Sequence, residues 1–161
     1  MTVDRCLACE VIAGSVVAPG GRIAETDNWV VDHSVGSLGV GTLIVKPYRH
    51  VVRVGELNDE ESAELGPLLQ RVAAVVDRLT APSQVYISLW SHEGRQPGHV
   101  HFVVQPVTQA LMEEHDAHGP QLQAAMFARG KSPDPAAAAG FAARARALLI
   151  RSSGPLGQTR V

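Results

Sequence analysis

The chain has 161 residues, 45% hydrophobic and 19% charged, with a formal net charge of −2. That balance fits one soluble globular domain with a sizeable core. No basic block favours a nucleic-acid backbone, no apolar run approaches the ~18 residues needed to span a bilayer, and the polar start Thr2-Val3-Asp4-Arg5 lacks a signal core, so the expectation is a cytoplasmic protein with no nucleic acid and no membrane as partner.

Cys6-x-x-Cys9 holds both cysteines of the chain. In a reducing compartment this spacing reads as a metal knuckle or a redox pair. Glu10 to Gly14 reads as a short helical turn ended by glycine. Pro19-Gly20-Gly21 is a turn signal, and Arg22–Thr26 and Trp29–Asp32 read as strands joined through Asp27-Asn28. Gly36 to Gly41 is a glycine-rich loop. Thr42 to Val45 is a buried strand closed by Lys46-Pro47.

Asn58 starts a helix, with Glu61 as its capping-box partner. Leu65, Leu68, Leu69, Val72, Val75, Val76 and Leu79 repeat at helical spacing, and Pro67 inside the run predicts a kink or a later start. Gln84–Trp90 reads as a strand, Ser91–Gly98 as a polar loop and His99–Gln105 as a strand stopped by Pro106. The remainder reads as helical in at least two pieces, broken at Gly119-Pro120 and over Gly130–Pro135, with a loose tail after Ser152. The order predicts an α+β architecture, an antiparallel sheet with helices on one side.

Strand alternation puts His99, His101, Val103 and Gln105 on one face. Lys46-Pro47-Tyr48-Arg49-His50 follows the buried strand directly, and His50 taken alone reads as a surface residue. Cys6, Cys9, His50 and one strand histidine together make a set of four that zinc accepts in a closed, structural tetrahedron. Such a site would hold the N-terminal segment and leave His101 for another task. His115 and His118, three residues apart, read as a solvated helix face.

Gly41 to His50, Gln96 to Val104 and Cys6 to Gly14, in this order along the chain, resemble the zinc-containing branch of the histidine-triad (HIT) superfamily over residues 4–106. The resemblance implies a five-stranded antiparallel sheet with a long helix packed on it in a domain over 1–106, and a homodimer. Residues 107–161 do not match the family's short core and read as a helical C-terminal extension of the same domain with a loose tail. It implies a nucleotidyl hydrolase or transferase that cleaves a nucleoside monophosphate from a phosphoanhydride, phosphoramidate or phosphoester of a purine nucleotide. His101 would be the nucleophile that carries the nucleotidyl intermediate. Structural zinc would sit on Cys6, Cys9, His50 and His99. Backbone donors up to Gly98 and the side chain of Gln96 would hold the phosphoryl oxygens. Asp32 resembles the residue that grips ribose hydroxyls, with a turn-forming aspartate as the alternative.

The third triad position is Val103, which donates nothing. Gln105, about 7 Å further along the strand, and His92 in the loop are the replacements at hand, and Ser88 falls near the place of a family asparagine. Two other readings compete. One is a catalytically weakened nucleotide-binding or protein-interaction module of the same descent. The other is a thiol-redox protein using Cys6 and Cys9.

Overall fold

A computed structural model describes residues 5–92 and 97–152 of the chain. Helix α1 (Leu7–Ala13) ends on Gly14, which takes the left-handed conformation at φ 79° and closes the last turn onto Glu10 and Val11 carbonyls. Strands β1 (Arg22–Glu25), β2 (Trp29–His33) and β3 (Leu43–Pro47) form a meander. Helix α2 (Asp59–Thr80) follows, then β4 (Gln84–Trp90) and β5 (His101–Val107). The five strands lie in the order β1-β2-β3-β5-β4, all pairs antiparallel. Helices α3 (Gln109–His115), α4 (Gly119–Arg129) and α5 (Pro135–Ser152) complete the α+β fold.

The start of α2 follows from its capping box: Asn58 Oδ1 accepts the Glu61 N–H at 2.8 Å, and Glu61 Oε2 accepts the Asn58 N–H at 2.9 Å. Pro67 does not end the helix, which runs unbroken to Thr80. Strand β5 begins two residues later than expected and continues through Pro106 to Val107. The reason lies in the ladder. β3 pairs with β5 only up to Val104, so beyond it β5 has β4 alone as neighbour, and the missing proline N–H removes no donor that β3 needs.

The sheet has helices on both faces, not one. Trp29, Val31, Leu43, Val45 and Val104 face α2 and α5 in a core that includes Leu68, Val72, Val76, Phe141, Ala142 and Ala145. The alternate residues Val103 and Val107 form a second apolar patch, which Leu122 and Met126 of α4 cover together with Leu38. An apolar stripe on each face of the sheet needs a cover on each face. The C-terminal stretch therefore splits: α5 joins the main core and α4 closes the opposite side.

Candidate metal and phosphate site

Cys6 is the N-cap of α1 and Cys9 lies one turn on, so both sulfurs leave the same side of the helix. His50 lies three residues past the end of β3, and His99 two residues before β5. The four side chains meet: their ligand atoms lie within 4.8 Å of one another. His99 Nδ1 is 3.5 Å from each sulfur, and His50 Nδ1 is 3.3 Å from Cys9 Sγ. A tetrahedron with sulfur at ~2.3 Å and nitrogen at ~2.0–2.1 Å from zinc has an S···N edge of ~3.5 Å. The donor set and these edges fit a metal of that kind.

The outer partner of His99 agrees. Its Nε2–H donates to the Pro47 carbonyl at 3.0 Å, which leaves the Nδ1 lone pair toward the sulfurs. The backbone on either side of that ring is pinned, with the His99 N–H on the Ser91 carbonyl at 2.9 Å and the Val100 N–H on the Val51 carbonyl at 2.7 Å. Burial pushes the His99 pKa down to about 4 against the pull of the Pro47 carbonyl, and the nearness of His50, His101 and Lys46 further disfavours a proton there. Burial raises the Cys6 thiol. Without a cation at the cluster, imidazole and thiol are both held in their neutral forms.

His101 points to different work. Its Nδ1–H donates to the His99 carbonyl at 2.8 Å, so the lone pair resides on Nε2. Burial lowers its pKa against the pull of the His99 carbonyl, and the nearness of His92 and Lys46 adds to the lowering. The ring lines a hollow of about 180 Å³ together with Ser34, Lys46, His92, Val103 and Phe127. The ring of His92, held at a left-handed φ of 63°, lies 5.1 Å from that of His101. Trp90 stands between the rings of His92 and Phe127, at 5.5 and 5.2 Å.

Asp32 and Gln105 do not reach this hollow. Asp32 is buried, bonds the Lys46 ammonium at 2.5 Å and lines a second hollow beside Val11 and Arg22. A carboxylate buried beside a buried ammonium is spent on that charge. Gln105 is fully buried: its amide donates to the Leu38 carbonyl at 3.2 Å and accepts from Gln123 Nε2 at 3.0 Å. Those bonds tie β5 to α4 and to the loop before β3. Gly98 is buried immediately before His99, and Gln96 lies outside the described residues. Ser88 is half-buried opposite Val103 across β4 and β5. Val103 is itself 2% exposed among Leu38, Leu122 and Met126. His115 and His118 lie at the end of α3 and before α4, away from the cysteines' cluster.

Sequence reasoning gave no role to Lys46, His33 or Ser34, which all line the His101 hollow. The legible signal was Lys46 itself, a cation at an inward position between Val45 and Pro47 in an apolar strand.

No family model and no curated protein matches the sequence. Solved structures do match. A hypothetical histidine triad nucleotide-binding protein from Sulfolobus tokodaii aligns with a TM-score of 0.69 at 13% identity, over 91% of this chain and 93% of that one. A Hit-like protein involved in cell-cycle regulation from Bartonella henselae aligns at 0.68 and 13%, over 92% and 99%. A Zn-bound histidine triad family protein from Mycobacterium smegmatis aligns at 0.64 and 20%, over 92% and 97%. These spans extend well past β5, so the C-terminal helices belong to the shared architecture, and the chain has the fold of histidine-triad proteins.

Proposed function

We propose that the chain is a histidine-triad-type nucleotidyl hydrolase or transferase that cleaves a nucleoside monophosphate from a phosphoanhydride, phosphoramidate or phosphoester of a purine nucleotide. The observation that carries this reading is His101: a neutral imidazole, fixed through Nδ1–H on the His99 carbonyl at 2.8 Å, on the wall of the hollow. Its Nε2 attacks phosphorus, the bond to the leaving oxygen or nitrogen breaks, and that atom takes a proton from solvent. Water then attacks the same phosphorus as the Nε2–P bond breaks; the bond's electron pair returns to Nε2, restoring the neutral ring, and the water's proton goes to solvent.

Cys6, Cys9, His50 and His99 would hold structural zinc, whose contribution is to fix α1 and the segment that carries His101. Among the described residues, none of the helices is long and apolar enough to cross a membrane. The working protein on this reading is a cytoplasmic homodimer. Support for a second copy comes from β4, an edge strand whose Ile87 and Leu89 are 45% and 50% exposed. Residues 107–152 act as a helical extension that shapes the ligand's surroundings through Phe127, the expected tail after Ser152 lying outside the described residues.

Incubation with an adenylated fluorogenic phosphoramidate, followed by intact-mass analysis, tests the mechanism. One nucleoside monophosphate is expected on His101, with neither adduct nor turnover in a folded His101→Ala variant. Full turnover in that variant removes the mechanism. The apolar setting of Val103 favours one second reading, a binding module of the same descent. Tight binding of AMP with no adduct in the unmutated protein would support it.

A further inference from the structure

Lys46 is 3% exposed in a strand whose neighbours Leu43, Ile44, Val45 and Pro47 are apolar. A buried ion pair is seldom more stabilising than apolar residues of the same volume. Its placement suggests a use beyond folding.

The first observation is strand register. β3 and β5 align Ile44 with Val103 and Val45 with Phe102. The next step of this ladder sets Lys46 opposite His101. Directly opposed residues in an antiparallel pair share a face, with Cβ atoms about 4.5–5.5 Å apart. On its other side His101 is opposite Trp90. Lys46, His101 and Trp90 thus form one row across the sheet, and all of them line the hollow.

The second observation is the direction of the ion pair. Lys46 lines the His101 hollow, whereas its partner Asp32 lines the second hollow beside Val11 and Arg22. The pair stands between the two hollows, Lys46 contributing to the lining of one and Asp32 to that of the other. An ammonium has three N–H donors, and among the described residues Asp32 is the side chain that bonds it. Arg5 also lines the hollow but is exposed. Lys46 is the buried cation there, held in place before any ligand arrives.

We infer that Lys46 is the anion contact of the His101 hollow, its ammonium bonding a phosphoryl oxygen of the ligand where Val103 offers no donor. This rests on reading the hollow as a phosphate site. Asp32 balances the charge of that ammonium while the site is empty.

Calorimetric titration with inorganic phosphate, AMP and adenosine tests the inference. The Asp32→Asn/Lys46→Met double variant removes both charges and leaves no unpaired buried ion. It is expected to lose at least about tenfold in affinity for phosphate and for AMP, the loss of one charge-assisted hydrogen bond, with adenosine binding unchanged. Asp32→Asn alone keeps the amine and is expected to retain phosphate binding within about threefold. In the unmutated protein, phosphate is expected to slow acetylation of Lys46 by acetic anhydride, read by peptide mass spectrometry. Equal phosphate affinity in the double variant, phosphate lost with Asp32→Asn, labelling unaffected by phosphate, or no phosphate or AMP binding at all would each overturn it. Phosphate bound through Lys46, with AMP no tighter than phosphate, sustains the anion contact while removing the nucleotide reading.

Discussion

Position 103 decides how a histidine-lined hollow works with one imidazole fewer. Val103 lines the hollow but is 2% exposed and wedged against Leu38, Leu122 and Met126, so the larger, polar imidazole there would be forced among apolar side chains. Val103→His is therefore expected to lower stability by about 1–3 kcal/mol in denaturant melts, without a gain in turnover. A more active and equally stable variant would overturn this account. His33 allows a second test. Its Nδ1–H donates to the Ser34 carbonyl at 2.8 Å and its Nε2 accepts the Gly41 N–H at 3.0 Å, so both nitrogens are committed to the neutral ring. Burial holds its pKa below the ordinary value, against the opposing pull of the Ser34 carbonyl. Above the unfolded pKa of about 6.5 neither state binds the proton and the contribution is complete. Below it the unfolded chain takes a proton that the folded ring refuses, and stability is lost down to the depressed folded pKa. His33→Gln is expected to flatten the decline of Tm from about pH 7.5 to 5 relative to the parent; parallel curves would contradict it.

Helix α5 docks where a glycine lets it approach. Gly20 has φ 76°, and a Cβ there would lie 2.6 Å from the Ala142 Cβ. The contact is reinforced by Arg146, whose guanidinium donates to the Gly20 carbonyl at 2.5 Å and to the Arg22 carbonyl at 2.9 Å. Gly20→Ala is expected to destabilise by more than about 1 kcal/mol, combining left-handed strain with overpacking. A thermal melt within experimental error of the parent would show that α5 yields freely. Local chemistry made such elements readable in advance. The Asn58/Glu61 capping box, the Leu65 to Leu79 period and the Gly14 stop each name a local device, and each element formed. What the pattern misplaced was decided by neighbours. Pro106 stays in β5 because β3 has ended beside it, and α4 covers the second face because Val103 and Val107 need it.

The cysteine–histidine cluster draws on three separated parts of the chain, so a metal there links α1, the end of β3 and the approach to β5. One equivalent of zinc is expected in the purified protein, lost in Cys9→Ser, with Tm falling on chelation. A metal-free protein with an unchanged melt would dismiss the cluster as a cation site. The types and spacing of these residues were legible before any coordinates, because zinc asks for a few specific side chains. The partners of Asp32 and Gln105 were not, since a polar residue on the expected face can be consumed by a charge or amide that arrives from a distant element. Lys46 took the first, Gln123 the second. The Gln123–Gln105–Leu38 chain has a mechanical result for the glycine-rich segment before β3. That segment is anchored from inside, so the rim it gives the hollow is set during folding, and a guest would meet a finished cup whose filling demands little ordering of backbone.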